Sequence, residues 1–174
     1  MIMIEKSPIL QLDILTTTIF TDNRGDIFTT WQDQLIPHLK FVEDKISVST
    51  FKVLRGLHGD TTTWKLVSCL FGRIQLVVVD IRPSNTYGQY ESFYLDDQYR
   101  QSVLIPPLFL NGHLCLSDKC MFHYKQSHLY SGPENQISVR WDDPDLNIKW
   151  DITDIILSDR DKKADNLKGV IVNA

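Results

Sequence analysis

Turn-forming clusters interrupt this chain so often that no long helix fits between them. Asp22-Asn23-Arg24-Gly25, Phe71-Gly72-Arg73, Pro83-Ser84-Asn85, Pro106-Pro107, Asn111-Gly112, Gly132-Pro133 and Asp142-Asp143-Pro144 each bring residues that favour a reversal. The intervals carry β-branched and aromatic runs of strand length, at 9–15, 46–51, 66–70, 74–81, 90–95, 121–124 and 136–141. Ile46-Ser47-Val48-Ser49 alternates with period two, as a strand with one wetted face should. Val77-Val78-Val79 does not alternate and predicts a strand covered on both sides. Helical periodicity is weak, limited to a turn or two at 31–39 and near 159–166. Many short strands with almost no helix specify an all-β fold: a β-sandwich, jelly roll or barrel.

At 174 residues the chain suits a single domain over 1–174, with an N-terminal arm over about 1–25 and a polar C-terminal tail over about 162–174. Folding at that length should bury roughly 70% of the extended chain's surface, so the core stands without staples. Hydrophobic residues at 43% and charged residues at 23% fit a globular rather than a disordered chain. Lys and Arg number 18 against 22 Asp and Glu, a net charge of −4, which lacks the basic footprint of a nucleic-acid binder. Cys69, Cys115 and Cys120 are odd in number and have no CxxC spacing, which argues against a disulfide framework and a thiolate zinc site. The opening MIMIEKSPIL has too short an apolar stretch for a signal sequence and carries Glu5 and Lys6. The longest apolar run, 74–81, is broken by Gln75 and Asp80 and is far short of a membrane span. The expectation is a cytoplasmic protein without a membrane partner.

Three stretches carry candidate chemistry. Val53-Leu54-Arg55-Gly56-Leu57-His58-Gly59-Asp60, followed by Lys65, gathers two cations and a titratable base. On a regular strand Arg55 and Leu57 share one face, and Leu54, Gly56 and His58 the other. Around one cavity, such groups suit a substrate bearing a phosphate and a carbonyl. Equally, Arg55 can be a surface ion-pair residue and His58 a hydrogen-bonded core histidine. In 122–130, Tyr124 and Tyr130 offer one hydroxyl to a cavity and one to its rim, or are packing residues with wet tips. In Ile156-Leu157-Ser158-Asp159-Arg160-Asp161, Ser158 reads as the cap of a short helix, or one aspartate reaches back to orient a histidine. His38, His58, His113, His123 and His128 contain no HxH pair, and the five-residue step from His123 to His128 is wrong for one strand face, so no metal site is expected.

In their order, several blocks resemble the nucleotide-diphospho-4-keto-sugar 3,5-epimerases. They are Phe20-x-Asp22-x-Arg24-Gly25, Ser47-x-Ser49, Val53-Leu54-Arg55-Gly56-Leu57-His58, Lys65-Leu66-Val67, Val79-Asp80-Ile81-Arg82, Ile105-Pro106-Pro107, Tyr124-Lys125, Tyr130, Trp141-x-Asp143 and Leu157-Ser158-Asp159-Arg160-Asp161. The resemblance implies a cupin-like jelly-roll β-sandwich with a few short helical turns, a homodimer, and neither metal nor cofactor. It also implies site roles. His58 is the base beside the ketone, Asp161 its dyad partner, Lys65 the stabiliser of the enolate oxygen and Tyr124 the acid on the opposite face. Phe20, Arg24, Arg55 and Tyr130 are implied near the substrate, the first two reaching in from a partner subunit.

The lining departs from that of the rhamnose-precursor enzymes at several places. His58 is followed by Gly59-Asp60, Glu43 and Lys45 stand where a glutamine and an asparagine are usual, and Asn111 stands where a histidine is usual. Glu43, Lys45 and Asn111 therefore join the candidate substrate-binding residues. The Gly59-Asp60 pair, the lysine and the asparagine look more like the branch acting on GDP-linked 4-keto heptoses. The expected activity is cofactor-independent epimerisation of a GDP-4-keto heptose for bacterial capsule or surface polysaccharide, at C3 with C5 left open. The alternatives are a dTDP-4-keto-6-deoxyhexose epimerase and a sugar-nucleotide binding protein without turnover.

Overall fold

The computed structural model describes residues 1–170. In chain order its strands are β1 (Ile2–Lys6), β2 (Asp13–Thr17), β3 (Phe20–Asp22), β4 (Gly25–Ile27), β5 (Glu43–Thr50), β6 (Leu54–Gly59) and β7 (Lys65–Phe71). They continue as β8 (Arg73–Asp80), β9 (Tyr90–Asp96), β10 (Gln101–Ile105), β11 (Phe109–Cys115), β12 (Lys119–Gln126) and β13 (Ile137–Ser138), before a short helix, α1 (Asp159–Lys162). Antiparallel pairing builds a six-stranded sheet in the order β1-β2-β10-β7-β12-β5 and a five-stranded sheet in the order β13-β6-β11-β8-β9. The β3–β4 hairpin stands apart from both. The result is an all-β, cupin-like sandwich.

Period-two alternation sorts the apolar side chains into layers. From β8, Ile74, Leu76 and Val78 enter the cluster between the sheets, where they meet Val67, Val103 and Phe122. Val77 and Val79 point the other way, into a second cluster with Val139, Leu146, Trp150 and Leu167. The strand is thus covered on both faces, as its unbroken valines predict. Each fully buried valine contributes about 1.5–3 kcal/mol relative to an exposed one. A third cluster sits outside the six-stranded sheet, where Trp31, Leu35, Ile36, Leu39 and Phe41 cover Leu15, Leu66 and Leu104.

Several sequence expectations change here. The N-terminal arm is not free: β1 is laddered onto β2 and β2 onto β10, and the β3–β4 hairpin stands apart. The run at 9–15 is a loop entering β2, because Leu10 and Leu12 plug the core with irregular backbone. At 31–39 the helix shrinks to one 3-10 turn, Asp33–Leu35, since its apolar residues are satisfied by lying on the sheet. The 136–141 run gives only the short β13. In the tail, Leu167 is buried in the second cluster, and residues 171–174 lie outside the described residues.

Candidate active site

The site begins with the register of β12, which pairs with β5 on one side and β7 on the other. Tyr124 lies opposite Lys45 and Val67, Gln126 opposite Glu43 and Lys65, and Phe122 opposite Ser47 and Cys69. These rows face inward, while the alternate rows, His123 with Ile46 and Ser68, and Lys125 with Asp44 and Leu66, face outward. Adjacent residues of 122–130 therefore part company. Tyr124 enters the interior, while His123 and Lys125 bond Asp44 on the outer face at 2.5 Å each.

From the opposite sheet, β6 breaks its own alternation. Asn111 of β11 pairs with His58 but His113 pairs with Arg55, so two steps on β11 match three on β6. This bulge brings Arg55 and His58 to one cavity, where a regular strand puts them on opposite faces. Leu54 and Leu57 remain fully buried in the core. Gly56 permits the arrangement: its φ is +134°, and a Cβ there would lie 2.4 Å from the Cα of Gly112.

Ser158 caps α1, its hydroxyl accepting the Asp161 N–H at 3.1 Å, and that turn aims the aspartate at β6. Asp161 Oδ1 lies 2.7 Å from His58 Nε2. The stretch thus caps its helix and also brings a carboxylate to a histidine. The carboxylate accepts the Nε2 proton, a tautomer inferred from this bond, and Nδ1 keeps the lone pair of a base. Burial pushes the Asp161 carboxyl upward, but the His58 bond and charge, Ser158 and Arg160 outweigh it and hold the group below the usual range.

The groups surround a cavity of about 420 Å³, a size usual for small-molecule sites. His58, Arg55, Asn111 and His113 come from the five-stranded sheet, Tyr124, Lys65, Lys45 and Ser47 from the six-stranded one, and Arg160 and Asp161 from the helical turn. Lys65 is 6% exposed and donates to Asn111 Oδ1 at 3.3 Å. Burial pulls its ammonium downward; Asp60 opposes this and Arg160 adds to it. Burial pushes the Tyr124 phenol upward, with Glu43 and Tyr130 in support and Arg55 against, so it keeps its proton at neutral pH. Among the described residues no group of three or more His, Cys, Asp or Glu is gathered where it could hold a metal.

Most residues singled out from the sequence converge on this cavity: His58, Lys65, Tyr124, Asp161, Arg55, Lys45, Asn111 and Tyr130. Glu43 does not line it. Its Oε2 accepts from Lys45 Nζ at 3.1 Å, the Tyr130 N–H at 2.9 Å and Gln126 Nε2 at 3.3 Å, so it organises the rim. Lys45 also sits 4.1 Å over the Tyr130 ring. Phe20 and Arg24 do not line their own chain's cavity but sit on the exposed hairpin, where Arg24 pairs with Asp22 at 2.6 Å. Sequence reasoning missed Arg160, whose guanidinium donates to Ser138 Oγ at 2.8 Å and Gln136 Oε1 at 3.2 Å. Its place beside Asp161 was the available signal. It also missed His113 and Ser47, for which only a correct strand register could have served.

Comparison with known proteins agrees with this geometry. The family model for dTDP-4-dehydrorhamnose 3,5-epimerase matches residues 6–169. A dTDP-4-dehydrorhamnose 3,5-epimerase of Methanothermobacter thermautotrophicus is 37% identical over 159 residues, 86% of this chain and 85% of the relative. One from Escherichia coli is 34% identical, over 91% of this chain and 90% of the relative. Among solved structures, a dTDP-6-deoxy-D-glucose-3,5-epimerase of Legionella pneumophila in complex with dTDP-4-keto-L-rhamnose superposes with a TM-score of 0.92 at 34% identity, covering 98% of this chain and 95% of that one. A 3'-monoepimerase of Streptomyces bikiniensis with dTDP-quinovose gives 0.88 at 27% identity, covering 94% and 88%.

Proposed function

From the premise that this chain belongs to the dTDP-4-dehydrorhamnose 3,5-epimerase family and is an isomerase, we propose that it epimerises a dTDP-linked 4-keto-6-deoxy sugar at C3 and C5. This replaces the GDP-heptose expectation. The relatives and the family model are named for dTDP sugars, and the departures at Lys45 and Asn111 leave the acid–base groups in place. The observation that carries the reading is that His58 and Tyr124 enter one cavity from opposite sheets, with Asp161 bonded to His58.

A proton α to a ketone leaves only if a positioned base takes it and the incipient oxyanion meets a donor. In this reading His58 Nδ1 takes the proton, and the resulting imidazolium is supported by Asp161. The electron pair moves into the ketone, and its oxygen is met by the Lys65 ammonium. Tyr124 then gives its phenolic proton to the carbon from the other face, and the configuration is inverted. The phenolate regains a proton from solvent and His58 returns its own. Asn111 holds the lysine, while Lys45 and Arg160 supply positive charge for the diphosphate.

The same reading makes the protein a homodimer in which the hairpin, with exposed Phe20 and Arg24, reaches toward the partner's cavity. The outward Ile46 and Val48 of β5, 56% and 46% exposed, support a covered face there. Three buried free thiols, Cys69, Cys115 and Cys120, fit a reducing cytoplasm. Incubation with dTDP-4-keto-6-deoxyglucose in D2O tests the activity. Deuterium should appear at C3 and C5, and its absence from both carbons would refute the proposal.

A further inference from the structure

Two polar atoms of cavity-lining residues are left unsatisfied among the described residues. His113 Nε2 and Ser47 Oγ are both buried and lack hydrogen-bond partners among the described residues, and both residues line the cavity. His113 is 3% exposed. Its ring stacks on Phe122 at 3.9 Å between centroids and 8° between planes, so its plane is fixed and its hydrogen-bonding edge is what remains for a partner. Ser47 lies beside the same phenylalanine, paired with it in register on the neighbouring strand. Polar atoms buried without partners are rare in folded proteins because each bears its full desolvation cost. Here two belong to residues of one cavity on different sheets, one stacked on Phe122 and the other paired with it in register.

The chemistry of the pair narrows the ligand. Burial, then the charges of Arg55 and His58, pull the His113 ring down to about 3 against the opposing Asp161, so it is neutral at physiological pH. A neutral imidazole has one N–H and one lone pair, and serine has a rotatable hydroxyl. Neither brings charge to a phosphate. Arg55, the nearby cation, is held by its own bond to Ser49 Oγ at 3.1 Å. An uncharged group that both donates and accepts fits such a pair, and on a sugar nucleotide that group is a ring hydroxyl.

We propose that His113 and Ser47 form a hydroxyl-binding subsite at the cavity floor, which recognises the sugar ring of the bound substrate independently of the nucleotide. This rests on the reading of the cavity as a sugar-nucleotide site and names the two residues that grip the sugar within it. Satisfying both orphaned atoms at once makes the floor selective for hydroxylated rings, because an apolar or deoxygenated ring leaves them unpaired. His113 acts here by binding and not by proton transfer, because its neutral ring is a poor acid.

The test uses binding and not turnover, so an inactive enzyme does not obscure it. Affinities of dTDP and of the non-reacting dTDP-glucose are measured by calorimetry on the full chain, its His113→Phe and His113→Gln variants, and Ser47→Ala. The expected result is a weakening of dTDP-glucose by about fivefold to tenfold in H113F and S47A, with dTDP unchanged and partial recovery in H113Q. Unchanged dTDP-glucose affinity in both H113F and S47A would overturn the subsite, the floor then holding only water. Equal weakening of dTDP and dTDP-glucose would overturn it too, since His113 would then only shape the cavity. Should H113F not fold, S47A on the other sheet carries the test alone. Failure of the proposed function reads differently: no deuterium exchange with any 4-keto sugar, whatever these affinities are.

Discussion

β8 and β5 obey the same period-two rule with opposite chemistry. β8 buries Ile74, Leu76 and Val78 on one face and Val77 and Val79 on the other, in two separate apolar clusters. β5, at the edge of the other sheet, turns Lys45, Ser47 and Ser49 inward and leaves Ile46 and Val48 in solvent. Amphipathic alternation identifies two faces but does not say which is wet. In β5 the wet face lines a cavity inside the sandwich, and the apolar face is the exposed one. A strand that looks inverted is thus where binding resides, and a strand that looks uniform is where stability resides.

That contrast is open to direct attack. Val78→Asp should be the most damaging change, since it buries an unpaired carboxylate between the sheets at a cost of roughly 4–5 kcal/mol or more. Urea denaturation should show no folded baseline, and a wild-type midpoint would refute the two-sided burial of β8. His58→Asn should leave folding intact and lower solvent deuterium exchange into substrate about 10²- to 10⁴-fold while dTDP still binds. Retained exchange would move the base elsewhere.

A pH effect of intermediate size follows from His113. Its folded value of about 3 lies below the reference value of 6.5, so the unfolded chain binds a proton that the native one refuses. Its contribution is complete above pH 6.5 and is lost as pH falls toward 3, at up to about 1.4 kcal/mol per pH unit. Thermal melts from pH 7 to 4 should steepen with acid in wild type and flatten in His113→Phe; parallel curves would mean that the ring is not sequestered. The smallest effect on the subunit itself belongs to Ile46→Thr with Val48→Thr, within about 0.5 kcal/mol. Sedimentation should nonetheless show dimers giving way to monomers. An unchanged dimer would place the partner face somewhere other than outer β5.

The legible part of the molecule was the part governed by local patterning. Unbroken valines announced β8, and the turn clusters at 22–25, 71–73, 83–85, 106–107 and 132–133 fall at strand junctions, whereas Asn111-Gly112, expected as a turn, lies inside β11. The ordered blocks shared with a family led to His58, Lys65, Tyr124 and Asp161. The illegible part depended on register. Nothing local to Arg55-Gly56-Leu57-His58 says that the strand bulges and brings Arg55 and His58 to one side, because the bulge accompanies the close approach of Gly112 from β11. Nor does Ile46-Ser47-Val48-Ser49 state which face meets the cavity; that is set by pairing with β12. His113 reads as one histidine among five until its pairing and its stack on Phe122 are known. The GDP-heptose expectation is without support from the relatives, which are named for dTDP sugars. Residues bordering a cavity were read as a nucleotide code, although Glu43 proves to brace the rim and Asn111 to hold a lysine.

The central claim is that two proton-transfer groups address opposite faces of one sugar ring. A crystal structure of the His58→Asn variant with a dTDP-4-keto-6-deoxy sugar measures this directly. The account predicts the ring lying between residue 58 and the Tyr124 hydroxyl, with the ketone oxygen against Lys65. A sugar bound with residue 58 and Tyr124 on the same side of its ring, or with its ketone turned away from Lys65, would contradict it.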